Sequence, residues 1–342
     1  MSLELIGITV LWIFLYGYVI VASIDFGAGF FSYYSVITMK KHIIHKIIDR
    51  YLSPVWEVTN VFLVFFYIGM VGFFPETARY YGTALLIPGS IAIVLLAVRG
   101  AYYAFSNYGS KDNKWYMLLY GATGLLIPAT LSTVLTISEG GIITEQNNFI
   151  SLDWQKLFGS FYTWSVVLLS LVSVLYISAM FLSFYAFRAK DLPAFKILRG
   201  YALFWSCPTI IASILVFFTI NQQNPDHFQN MLNLGWMFGV SLLCFIIAVY
   251  FLWKQIKLGI AFIFVLLQFA FAFFGYGRAH LPYILYPYIT IHENFTNQTM
   301  GTALVIAFIA GIVILLPSLY LLMRLFLFDA DYVQGKLIKK GD

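Results

Sequence analysis

Three ionisable side chains stand inside long apolar runs. Asp25 lies in Ile24-Asp25-Phe26-Gly27-Ala28-Gly29, Glu57 in Pro54-Val55-Trp56-Glu57-Val58-Thr59-Asn60, and Arg99 in Val98-Arg99-Gly100-Ala101-Tyr102-Tyr103. A charge in hydrocarbon is costly, so each of these needs a partner or a function. Carboxylates exchange protons, which makes Asp25 and Glu57 candidates for a proton path. Asn60 shares a helix face with Glu57 through its i,i+3 spacing, and Arg99 offers electrostatic support. Gly27 and Gly29 remove side chains beside Asp25, so a neighbouring helix or water can approach it. The static alternative is an Asp25–Arg99 ion pair that fixes helix packing, with Glu57 solvated near the headgroups.

Other chemistries lack their residues. A buried haem needs axial ligands at membrane depth, usually His and sometimes Met or Cys. His42, His45, His227 and His292 fall in expected loops, and His280 falls at an outer helix end. Met70, Met180, Met237, Cys207 and Cys244 lie in apolar runs and are expected to serve packing. The chain is therefore expected to bind no haem by itself. The sequence shows no metal-ligand spacing, phosphate-binding glycine loop or nucleophile constellation, and its two cysteines offer no disulfide framework.

The elements that must position the charges are membrane helices. Of 342 residues, 61% are hydrophobic and only 10% are charged, with mean hydropathy +0.85. A soluble globule of this size would lack the surface charge to stay in water, which excludes aqueous enzymes, disordered chains and nucleic-acid readers. A spanning helix takes about 20 apolar residues. By that measure the chain holds about nine spans, at 6–37, 56–75, 81–107, 115–137, 161–187, 200–221, 234–253, 258–278 and 301–325. The tightest link is Lys254-Gln255-Ile256-Lys257. Unbroken apolar runs, without the alternation of barrel strands, predict helices.

Arg79, Lys156 and Arg278 fall on one side of these spans and Arg99 falls within one; every other Lys and Arg falls on the opposite side. By the positive-inside rule that basic side is cytoplasmic, with the N-terminus outside and the C-terminus inside. The pI of about 9.0 thus records topology and contact with anionic lipid, not nucleic acid. All three buried charges then fall in the cytoplasmic half. The chain reads as one integral membrane domain over 1–342 with no soluble domain. The longest links, 138–160 and 279–300, face outside. Asn294-Phe295-Thr296 and Asn297-Gln298-Thr299 match a glycosylation pattern and read as chance matches in a polar loop. The first span, with no Lys or Arg ahead of it, is expected to be retained. The aromatics of span eight, from Phe262 to Phe274, read as packing and lipid contact, with a quinone or partner surface as the sharper reading.

The singled-out motifs also carry a likeness. Asp25-Phe26-Gly27-Ala28-Gly29, Pro54-Val55-Trp56-Glu57 through Asn60 with Phe73-Phe74-Pro75, and Arg99-Gly100-Ala101-Tyr102 occur in an order and spacing that resembles subunit II of the bacterial cytochrome bd quinol oxidases. The motifs occupy the first third of the chain, and the span pattern extends the likeness. The resemblance implies an all-α polytopic bundle of two four-helix bundles plus one peripheral helix. It implies a complex in the bacterial cytoplasmic membrane that oxidises quinol and reduces oxygen to water. Haem b and haem d would sit in a larger partner, subunit I, with a small single-span accessory subunit and membrane lipid as further partners. It also implies proton-path roles for Asp25 and for Glu57, which stands where Asp is frequent in the family. Phe105-Ser106-Asn107 departs again, lacking an Arg often found there.

Two other readings compete. An ion-coupled secondary transporter would also have about nine spans and buried carboxylates, but should show an inverted repeat with paired broken helices. A pure scaffold for a cofactor-bearing partner would leave Asp25 and Glu57 inert.

Overall fold

The computed structural model describes residues 2–108, 114–146 and 149–324. The chain opens with α1 (Leu3–Ile37) and α2 (Lys41–Phe73), then the short α3 (Glu76–Ala84), α4 (Leu86–Tyr108) and α5 (Lys114–Ser138). A hairpin of β1 (Ile143–Gln146) and β2 (Phe149–Leu152) leads through α6 (Trp154–Gly159) to α7 (Phe161–Arg188) and α8 (Leu192–Gln223). The short α9 (Pro225–Asn233) precedes α10 (Gly235–Lys254) and α11 (Leu258–His280). A second hairpin, β3 (Tyr283–Leu285) and β4 (Ile289–Thr290), precedes α12 (Gln298–Met323).

Among the described residues, eight helices are long and apolar enough to cross a membrane, and Thr59–Phe73 of α2 is a shorter apolar stretch within the expected second span. This is an all-α polytopic membrane bundle. α1, α2, α4 and α5 pack as one group and α7, α8, α10 and α11 as another, while α12 lies against α1 and α2. α5 also lies against α7, and the groups meet most closely where α1 packs on α7. Both helices are buried all round there, at residues 20–29 and 172–183, as expected of helices with no polar face.

Lipid tails are as apolar as leucine, so close packing rather than burial from water must hold the two helices together. Gly27 permits it. A methyl group there would overlap Ser178 Cβ and lie 2.8 Å from the Val174 carbonyl oxygen, and Ser178 Oγ donates to the Ile24 carbonyl at 2.9 Å. Gly27→Ala is accordingly expected to cost about 1–3 kcal/mol, read as a lowered unfolding midpoint of the purified protein; an unchanged midpoint would mean the contact yields freely. The span-eight aromatics also serve packing: Phe273 stacks on Trp12 with centroids 4.8 Å apart, and Phe262 meets Phe181 edge-on at 5.3 Å.

Several predicted boundaries move. The third span starts at Leu86 rather than residue 81, because the chain breaks at Leu85 and Pro88 suits the first turn of a new helix. The sixth starts at Leu192 rather than residue 200. Asp191 caps it by accepting from Ala194 N at 3.1 Å, so Lys196 and Arg199 are helical, not in a loop. Arg199 donates to the Leu252 and Trp253 carbonyls at 3.0 and 2.7 Å, a cation on the C-terminal end of α10. The tight link after α10 is made with Gln255 and Lys257 in the left-handed region, at φ 58° and 46°. Asn297 caps α12, accepting from Met300 N at 2.8 Å, and Asn294 accepts from Thr290 N at 3.0 Å.

Candidate functional site

Asp25 and Arg99 meet. Both are 1% exposed, and Arg99 Nε donates to Asp25 Oδ2 at 3.0 Å. The guanidinium also donates through Nη2 to the Asp25 carbonyl at 2.7 Å and through Nη1 to the Tyr120 carbonyl at 3.0 Å. The rings of Tyr120 and Phe26 lie 4.2 and 5.2 Å from its carbon. A planar fork with several fixed donors makes this set of contacts, and an ammonium would not. Gly29 admits the group, since a methyl there would lie 2.9 Å from the Tyr120 carbonyl and 3.0 Å from Arg99 Nη1.

The ion pair expected of the static reading is therefore present, but it engages only one carboxylate oxygen. Asp25 Oδ1 accepts from the Tyr103 hydroxyl, which lies 3.1 Å from the Tyr120 hydroxyl. Hydroxyls both donate and accept, so Asp25, Tyr103 and Tyr120 form a row through which a proton can be handed on. Tyr18, two turns earlier on the same face of α1, has a buried hydroxyl with no hydrogen-bond partner among the described residues. Asn60 is half-buried on α2. The backbone of Glu57 is helical in α2, and its side chain lies outside the described residues.

A second cluster sits at the other end of α5, about 25 Å away along the helix. From sequence, His227 belongs to a loop and no metal-ligand group is visible. The fold corrects the first expectation and brings together three side chains that bear on the second. His227 is in α9 and 2% exposed, and it faces Glu139, which is 1% exposed. His227 Nδ1 lies 2.9 Å from each carboxylate oxygen, and His280 Nδ1 lies 3.4 Å from Oε1. Asn224 Nδ2 donates to Oε2 at 3.0 Å, and the Tyr276 hydroxyl donates to Oε1. Burial pushes the Glu139 carboxyl upward; the neighbouring His280 and His227 more than offset this and hold it below the usual carboxylate range. The available signal was local: Tyr276 and His280 share a helix face at i,i+4, and a lone Glu follows an apolar span on the same membrane side.

A mostly apolar cavity of about 1130 Å³ lies between α1, α2, α4, α5 and α11, with Trp12, Phe66, Met70 and Leu96 in its wall and Tyr276 and His280 at its polar end.

Comparison with known proteins gives concordant matches. The family model for cytochrome bd terminal oxidase subunit II matches residues 3–326. A Bacillus subtilis (strain 168) protein described as a cytochrome bd menaquinol oxidase subunit II is 32% identical over 340 residues, covering 96% of this chain and 97% of that protein. A chain in the solved structure of bd oxidase from Geobacillus thermodenitrificans is 60% identical, with a TM-score of 0.85, covering 96% of this chain and 100% of that one.

Proposed function

Because the chain belongs to the cytochrome bd terminal oxidase subunit II family, we propose that it both supports a haem-bearing subunit I and conducts protons to that subunit's oxygen-reducing site. It is a subunit of a membrane oxidoreductase whose complex carries haem and uses quinol. Membership leaves the ion-coupled carrier without support. In our reading the haems, b and d, belong to the partner and none to this chain. The quinol is menaquinol, as named for the Bacillus relative. Residues 1–342 make one integral membrane domain with the N-terminus outside and the C-terminus cytoplasmic, because the basic residues gather on the opposite side from the N-terminus. A small single-span subunit completes the complex, and membrane lipid fills the apolar cavity.

The observation that carries the proton reading is the row Asp25–Tyr103–Tyr120. Asp25 is ionisable and buried, and Tyr103 lies one turn beyond Arg99 toward the cytoplasmic end assigned to α4. Protons would enter from that side, with Glu57 near the mouth, and pass by way of Asp25. Arg99 holds the carboxylate in place and Asn60 lends polarity to α2.

The test is Asp25→Asn in the intact complex, with oxygen consumption measured per haem. The amide keeps the size and an acceptor but cannot take up and release a proton as a carboxylate does. Turnover is expected to fall about tenfold or more, with haem content unchanged. Undiminished turnover would leave the chain a scaffold.

A further inference from the structure

We propose that Glu139, His227 and His280 form a binding site for a divalent metal ion of the zinc class, held by one carboxylate and two imidazoles. Each residue offers a ligand atom, and these atoms lie within 4.8 Å of one another. Zinc bonds to nitrogen and oxygen are about 2.0–2.2 Å long, so ligand atoms around one ion sit about 3–3.5 Å apart. The His280–Glu139 distance of 3.4 Å falls within that spacing and the His227–Glu139 distance of 2.9 Å just below it, while the full spread of up to 4.8 Å requires the two rings to draw together around an ion.

The hydrogen bonds of His227 require a proton or a cation at this point. Its Nε2 lies 3.1 Å from the Tyr276 carbonyl, which can only accept, so Nε2 carries a hydrogen. In the neutral ring Nδ1 then presents its lone pair to a carboxylate at 2.9 Å. Two lone pairs at that distance repel unless a proton or a cation stands between them. A ligating histidine whose other nitrogen donates to a backbone carbonyl is the usual outer-shell arrangement of metal sites.

His280 favours the metal over the proton. A ring that only donated to the carboxylate would close to the usual 2.9–3.0 Å. Its Nδ1 instead stays at 3.4 Å; its Nε2 is buried with no hydrogen-bond partner among the described residues, so unlike His227 it lacks an outer-shell acceptor. An ion seated between the ring and the carboxylate accounts for that spacing. Asn224 and Tyr276 donate to the carboxylate, as outer-shell partners of a metal-bound acid would. Two imidazoles and one carboxylate suit zinc, copper or nickel better than magnesium or calcium, which take oxygen ligands. The ion would tie the end of α5 to α9 and α11. None of this depends on protons moving through Asp25.

The test uses the intact detergent-purified complex, treated with a chelator, incubated with Zn²⁺ or Mg²⁺ alone, and desalted. Zinc is counted against haem iron by mass spectrometry, and its surroundings are read by X-ray absorption. One zinc per complex is expected for the parent protein, with a nitrogen and oxygen shell that includes two imidazoles, and no retained magnesium. His227→Gln and His280→Gln are expected to bind zinc at least about tenfold more weakly, with haem spectra confirming that each complex is assembled. Should either variant fail to assemble, the absorption spectrum of the parent complex decides. No retained zinc, zinc retained equally by the variants, or a shell without imidazole would overturn the proposal and leave a proton-bridged cluster.

Discussion

Replacing Arg99 with methionine is expected to destabilise the chain by about 3–5 kcal/mol, because it strands a buried carboxylate. The Arg99 side chain is 0% exposed and that of Asp25 2%, so water cannot take the place of the lost partner. The substitution also removes one donor each from the Asp25 and Tyr120 carbonyls, the latter keeping Thr123 Oγ1 at 3.1 Å. Arg99→Lys keeps the charge but loses the fork, and should fall between the two. The informative comparison is the double variant, Arg99→Met with Asp25→Leu. Removing both charges of a buried pair is often near neutral, so the double variant should recover most of the stability lost by the single one. Denaturant or heat unfolding of the purified complex gives the stabilities. A loss below about 1 kcal/mol for Arg99→Met would mean the pair is not the anchor its burial indicates. Turnover then separates the two roles of Asp25. A folded double variant that reduces oxygen slowly supports proton conduction, whereas one with full turnover assigns Asp25 to packing alone.

The spans and this pair were legible in the sequence for the same reason. Hydrocarbon accepts few charges, so a run of about 20 apolar residues and a lone Asp or Arg within it each carry a strong constraint. Asp25 and Arg99 had few other places to find a counter-charge. Constraint is weaker at helix ends, where polar residues are ordinary and water competes as a partner. That is why the break at Leu85 and the helical placement of Lys196 and Arg199 emerged only in the fold. The Glu139 cluster was hidden for a further reason. Its members come from three separate links, Glu139 and His227 being 88 residues apart, and each alone looks like a solvated end residue. Only the packing of α9 against α11 and α8 encloses them.

That enclosure predicts the second large effect. Glu139→Leu is expected to cost about 3–5 kcal/mol, against about 1–3 kcal/mol for Glu139→Gln. Leucine fills the space but accepts nothing, so Asn224 Nδ2 and the Tyr276 hydroxyl lose their acceptor in a buried site, and His227 Nδ1 loses the carboxylate it faces. Whatever positive charge the cluster holds, on an imidazole or an ion, then has no counter-charge. Glutamine restores one oxygen acceptor but no charge, and its amide donors face the donors of Asn224 or Tyr276. The damage should be localised: α9 and the ends of α5 and α11 should exchange amide hydrogens faster, while the Asp25–Arg99 region at the far end of α5 keeps its protection. Hydrogen exchange on the intact complex, alongside unfolding midpoints, reads both. If leucine proves as stable as glutamate and α9 stays protected, the packing of α9 rests on its apolar contacts, among them Phe228 against Phe217 at 5.1 Å, rather than on the carboxylate.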